Sequence, residues 1–287
     1  MIIGGSKKQV IANIRQNILD NEFNKKVELT DPNLTNEEIS KYLNEFYKNK
    51  EKKSYKIKNK TALLTVKKMS KHIYPYTNIQ GLDKLDKLDL SKGAIMTSNH
   101  FNPLDSYFAR LIVEEKLQKK LYIVIQDTNL AMPGSLGYLM NYLDVLPISS
   151  SPNYIIKTFL PTLKTILDGG NIVLIYPEEE MWFNYRKPRP CKRGAYQFAH
   201  DFNVPVIPCF VTMESTDILD NEEFNLLNYQ VNILDIILPD SSLSSKKDSI
   251  RMSNLDYMAK KHCYEKTYDE LLTYNFNITD ISGWRHN

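Results

Sequence analysis

The chain has 287 residues, 42% hydrophobic and 25% charged, which is enough apolar material for a sizeable core and too much for a disordered chain. Its three cysteines, Cys191, Cys209 and Cys263, are far apart and form no C-x-x-C pair, and no apolar run approaches 18 residues; a disulfide framework, a zinc ribbon and a membrane-spanning helix are not expected, and neither is a signal peptide at Met1-Ile2-Ile3-Gly4-Gly5. Net charge is only +3, yet residues 1–72 carry 16 Lys+Arg against 8 Asp+Glu, and 48–71 hold ten lysines with the single acid Glu51, an asymmetry that points to an anionic partner surface.

In chain order, apolar spacing predicts a helix over 10–19, then a turn at Asp31-Pro32-Asn33. Thr35 and Glu38 make a capping box ahead of Ile39, Leu43 and Phe46 at helical spacing. The lysine-rich 48–60 leads into a helical stretch, 62–69, with Leu63, Val66 and Met69 among Lys67, Lys68 and Lys71. Two readings follow: a solvated helical hairpin packed on the rest, or an interfacial helix turning lysines toward lipid phosphates.

From about Asn78 strands and helices alternate. Strands are predicted at 94–98, 121–125, 145–148, 171–176, 205–213 and, in part, 229–238; helices at 103–117, 134–142, 152–167, 194–202 and 249–274. Asn102 is read as a helix N-cap with Pro103 at the first position, Ser135 as a cap, Gly169-Gly170 as a stop and Ser241-Ser242-Leu243-Ser244-Ser245 as a surface loop. The pattern predicts an α/β fold, a central mostly parallel sheet flanked by helices, with a helical, lysine-rich N-terminal arm (1–77) and a main domain (78–287). Ligands of such sheets sit at the carboxyl edge of the strands.

Three segments carry candidate chemistry. The first, Asn99-His100-Phe101-Asn102-Pro103-Leu104-Asp105, sets a histidine and an aspartate in the spacing H-x-x-x-x-D as strand 94–98 ends; a carboxylate beside a histidine fixes its tautomer and stabilises its cation. The second, Ile172-Val173-Leu174-Ile175-Tyr176-Pro177-Glu178, is a strand ending in Pro-Glu. The third is Lys192-Arg193-Gly194-Ala195 through Asn203-Val204-Pro205-Val206-Ile207-Pro208-Cys209.

In this order the segments resemble the glycerolipid acyltransferase family, the 1-acylglycerol-3-phosphate acyltransferases, over roughly residues 78–213. The resemblance implies an O-acyltransferase with His100 as general base and Asp105 as its orienting partner. It also implies substrate contacts from Asn99, Glu178, Gly194 and Pro205, with Pro205, Val206 and Pro208 forming an apolar wall. The implied donor is an acyl thioester on CoA or an acyl-carrier protein, the default acceptor a lysolipid such as 1-acylglycerol-3-phosphate, and the implied location peripheral on the cytoplasmic face of an anionic membrane. No cofactor, metal or nucleic-acid partner is implied.

Two departures stand out. Leu146-Pro147-Ile148 runs into Ser149-Ser150-Ser151 where the family has an arginine, and Glu178 is followed by Glu179-Glu180-Met181 where it has Gly-Thr-Arg. Arg186, Lys187, Arg189, Lys192 and Arg193, just downstream, are candidates to restore a phosphate site, or to dock a carrier protein or lipid. The alternatives are an acceptor other than lysophosphatidate (a glycolipid or cell-envelope intermediate), a non-catalytic lipid-binding member, and a thioesterase. Glu178 paired with Arg193 is the plain structural reading of those two residues. Trp182, Phe183 and Tyr185 are read as a loop plug or an interfacial aromatic group. His72, His200, His262 and His286 show no partner pattern.

Overall fold

The computed structural model describes residues 6–29 and 32–285. Met1 to Gly5, Asp31 of the expected turn, and His286 lie outside the described residues. The helices and strands follow in the order α1 (Lys8–Leu19), α2 (Asn36–Glu51), α3 (Lys53–Ser70), β1 (Thr77–Gln80), β2 (Ala94–Thr97), α4 (Ser106–Arg110), β3 (Leu121–Gln126), α5 (Gly134–Tyr142), β4 (Val145–Ile148), α6 (Pro152–Tyr154), α7 (Leu160–Asp168), β5 (Ile172–Ile175), α8 (Gly194–Phe202), β6 (Val206–Leu219), β7 (Asn225–Ile233) and α9 (Ser245–Tyr268). A wider, π-type turn at Leu111–Lys116 extends α4, and another at Ile155–Phe159 joins α6 to α7.

The seven strands form one sheet in the order β1-β7-β6-β2-β5-β3-β4. The five from β6 to β4 are parallel, β7 is antiparallel to β6, and β1 runs parallel to β7. β2 is central. Its Ala94, Ile95 and Met96 are wholly buried, as expected of a parallel strand covered on both faces. Successive residues feed opposite faces: Ala94, Met96, Ile172 and Leu174 enter one core, while Ile95, Val173 and Val206 enter the other.

The first core is closed by α2, α3, α4 and α5, through Leu43, Phe46, Ala62, Val66, Tyr107, Phe108 and Leu139. The second is closed by α7, α8 and α9, through Leu163, Ala195 and Met252. Beneath the end of β2, the buried Asp256 of α9 accepts from Thr97 Oγ1 (2.6 Å) and Tyr196 OH (2.5 Å) and pairs with Lys260 (3.0 Å). A third cluster packs Ile11, Ile14 and Ile18 of α1 on Trp182, Phe183, Tyr185 and Phe224.

The basic segment is therefore packed on the sheet by its apolar side, while nine of its ten lysines stay exposed. Lys50 is the exception: its Nζ donates to Val145 O (3.2 Å), and burial draws its ammonium down to about 8. The Thr35/Glu38 capping box forms as the sequence predicts.

Several boundaries differ from the sequence reading. The helix expected at 103 begins at Ser106, because Asn102 Oδ1 accepts from Leu104 N (3.0 Å) in a local turn while Asp105 is drawn to the backbone before it. Ser135 lies inside α5, whose N-cap is Pro133. Ser244 is the N-cap of α9 rather than plain loop. That helix stops at Tyr268, where Asp269 turns left-handed (φ 49°), so 270–274 is not helical. β6 runs six residues past the predicted end at Met213, pairing along β7, which itself starts at Asn225 rather than Tyr229.

Candidate active site

Parallel pairing of Thr97 with Ile175 brings the ends of β2 and β5 side by side, so the His100 and Glu178 segments leave the same carboxyl edge. His100 Nδ1 lies 2.8 Å from Asp105 Oδ2, with the histidine side chain 23% exposed and the aspartate 3%. That oxygen also accepts from the N–H groups of Phe101 (2.9 Å) and Asn102 (3.2 Å), while Oδ1 accepts from Tyr176 OH (2.5 Å). A carboxylate holding four donors is an acceptor only, so His100 Nδ1 carries the proton and Nε2 the lone pair. The Tyr176 ring also stacks on His100, centroids 4.0 Å apart and 14° from parallel. Burial and the Asp105 charge push the Tyr176 phenol well above its ordinary value, so it remains a donor throughout the working pH range.

Glu178 faces inward. It pairs with Arg189 (2.9 Å), both side chains 1–2% exposed, not with Arg193. Glu178 Oε2 accepts from His100 N–H (3.3 Å); His100 O accepts from Trp182 N–H (3.0 Å) and from Arg189 Nη2 (3.3 Å). The ion pair thus grips both backbone polar groups of the histidine. Arg189 also stacks on Trp182 (4.5 Å) and donates to the Phe23 carbonyl (3.0 Å). Sequence reasoning missed Tyr176 and this use of Arg189; the apolar strand running straight into Tyr-Pro-Glu was the available signal for the first.

Residues 76–212 match the family model described as Acyltransferase. The matched segment is an acyltransferase domain, similar to the family of the 1-acylglycerol-3-phosphate acyltransferases and related glycerolipid acyltransferases. A search of curated proteins returned no match.

The other candidate residues divide by position. Asn99 is buried and ties β2 to β6, donating to Val211 O (3.0 Å) and accepting from Val211 N (2.8 Å). Pro205 stands at the opposite edge: Val206 pairs with Ile95 at the start of β2, and parallel register carries Pro205 away from His100, so it cannot line a pocket there. Gly194 opens α8 at the exposed surface, near the Tyr-Pro-Glu turn because Lys192 N donates to Pro177 O (2.8 Å).

The five basic residues do not form one patch. Lys187, 5% exposed, is paired with Asp280 (2.8 Å). Arg186 is paired with Glu270 (2.9 Å) over the Tyr268 ring, and Arg189 with Glu178. Only Lys192 and Arg193 present charge outward, with Lys192 4.0 Å from Glu179. Trp182 and Phe183 are fully buried and Tyr185 nearly so, which makes them the plug and not an interfacial group. His200 does have a partner, Asp248 Oδ2 at 2.8 Å, at the far end of α8; His72 and His262 are exposed. Among the described residues no cluster of His, Cys, Asp and Glu suits a metal.

Tyr176→Phe keeps the stack and deletes the hydroxyl. With less of the Asp105 charge neutralised, the imidazolium is favoured, so the acid limb of the pH–rate profile is expected to move to higher pH. The rate at the optimum is expected to fall about tenfold, the scale of one hydrogen bond to a charged group. An unshifted profile would remove Tyr176 from the tuning of His100.

Proposed function

We propose that the chain transfers a fatty acyl group from an acyl thioester, on CoA or an acyl-carrier protein, to the hydroxyl of a lysoglycerolipid. The observation that carries this reading is the oriented imidazole: Nδ1 is committed to Asp105, and the ring is part-exposed at the sheet's carboxyl edge. The acceptor oxygen attacks the thioester carbonyl while His100 Nε2 takes its proton; the C–S bond then breaks and the departing sulfur receives that proton. A base so placed contributes about 10²–10⁴-fold. The chemistry uses no cofactor beyond the two substrates and no enzyme nucleophile. Burial pushes the Cys191 and Cys209 thiols up to about 12, which leaves them protonated.

The decisive experiment incubates the full chain with acyl-CoA and acyl-carrier-protein donors and a panel of lysolipid, glycolipid and monoacylglycerol acceptors, with products read by mass spectrometry. Transfer is expected with no burst of free thiol from donor alone. A burst with a trapped acyl-enzyme, or thiol release undiminished by excess acceptor, would contradict the reading. A second reading, an acceptor less anionic than lysophosphatidate, draws on the internal pairing of Arg186, Lys187 and Arg189.

The reading includes work at a membrane surface. Among the described residues no helix is long and apolar enough to cross one. On α3, however, Ile57 and Leu64 are 71% and 58% exposed, one heptad apart, and exposed Lys53, Lys56, Lys60, Lys67 and Lys68 surround them, the composition of an interfacial face. Binding to anionic vesicles is expected to weaken with salt, each near-surface lysine contributing about 1 kcal/mol at low ionic strength. Vesicle sedimentation checks this; binding indifferent to both salt and lysine replacement would count against it.

A further inference from the structure

Tyr107 and Arg110 lie three residues apart on α4, on one side of the helix that begins directly after Asp105. Arg110 is 4% exposed and Tyr107 2%. The guanidinium spends Nη1 on Glu114, itself 40% exposed. Its Nε and Nη2, and the Tyr107 hydroxyl, are buried without a hydrogen-bond partner. Asp105 does not supply one, since its oxygens are held by His100, Phe101, Asn102 and Tyr176. Arg110 follows Asp105 by five residues, so the unpaired N–H groups are carried on the helix that leaves the His100/Asp105 segment.

Buried polar groups in folded proteins are satisfied, so two guanidinium N–H groups and a hydroxyl left without an acceptor call for one. Two adjacent guanidinium N–H groups form a planar fork that fits two oxygens of a tetrahedral anion, and a hydroxyl alongside supplies a third donor. We propose that Arg110 and the Tyr107 hydroxyl form the seat for a substrate phosphate group on the helix that follows the His100/Asp105 pair. This deepens the acyltransferase reading and rests on it for the identity of the ligand. It also supplies a cation where the Ser149-Ser150-Ser151 and Glu179-Glu180-Met181 segments have none. The phosphate belongs to the acceptor or to the pantetheine-bearing donor, and the test separates the two.

Kinetics are measured on the full chain with four pairings: lysophosphatidate or monoacylglycerol as acceptor, acyl-CoA or phosphate-free acyl-pantetheine as donor. Arg110→Gln is expected to lower the kcat/KM ratio of the phosphorylated substrate over its phosphate-free counterpart by about 10- to 100-fold, on the acceptor or the donor axis according to the source. Tyr107→Phe guards against misfolding, because it removes a hydroxyl that bonds nothing; it is expected to lower the same ratio several-fold without lowering the melting temperature. Titration calorimetry with glycerol 3-phosphate and with CoA reads binding independently of turnover. Binding of one of them by the wild type, weakened in Tyr107→Phe, supports the seat even if no acyl transfer is found, in which case only the activity reading fails. Equal losses for phosphorylated and phosphate-free substrates, or unchanged binding of both probes in the two variants, would overturn the seat while leaving acyl transfer standing.

Discussion

His100→Ala is expected to lower acyl transfer by about 10²–10⁴-fold while the protein stays folded. The imidazole bonds only Asp105 and stacks on Tyr176; the grip of Glu178, Arg189 and Trp182 is on the backbone of residue 100 and survives the change. Circular dichroism and the thermal midpoint check the fold, and product formation the chemistry. Asp105→Asn should be nearly as damaging for a different reason. The amide carries no charge to stabilise the imidazolium, and its NH2 can turn toward His100, which leaves the imidazole free to take the wrong tautomer. Substantial turnover by a folded His100→Ala protein would remove this pair from the mechanism.

The second large effect is on stability. Arg189→Ala leaves the buried Glu178 carboxylate without its counter-charge, the Phe23 carbonyl without its donor and the His100 carbonyl with the Trp182 N–H alone. Breaking a buried pair by removing one partner costs about 3–5 kcal/mol. Arg193→Ala, four residues on from Arg189 and exposed, is expected to stay within about 0.5 kcal/mol. Urea unfolding of the two variants gives the comparison directly; equal midpoints would mean that the Arg189 network is energetically idle. Replacing both partners by apolar residues of similar size should recover much of the stability. It should not recover the rate, because His100 keeps only the Trp182 N–H to fix its carbonyl.

Local pattern made the central part of this molecule legible. Continuous apolar runs such as 172–175 read as buried parallel strands, and the H-x-x-x-x-D spacing placed both members of the pair at a strand end. The misreadings come from partners distant in sequence. Lys187 and Arg189 look like free cations in a basic stretch, but Lys187 meets Asp280, 93 residues on, and Arg189 meets a glutamate already assigned to the acceptor. The resemblance implies a pocket wall at Pro205, but only the strand register reveals which edge that residue occupies. One arginine in an amphipathic helix carries no sequence pattern, and the two unpaired N–H groups of Arg110 are visible only once the helix is packed.

The contacts of residues 23–25 bear on where this protein can be cut. Phe23 O accepts from Arg189, Asn24 Nδ2 donates to the carbonyls of Glu178 and Pro190, and Lys25 O accepts from the Trp182 indole. These residues lie more than fifty positions ahead of the family-matched segment, 76–212. A chain trimmed to that segment would keep the histidine and the aspartate. It would lose the clasp that shuts the Glu178 loop, along with the α1 side chains that bury Trp182. The smallest piece able to fold with its working loop closed therefore starts upstream of Phe23, however well the family-matched centre stands out by itself.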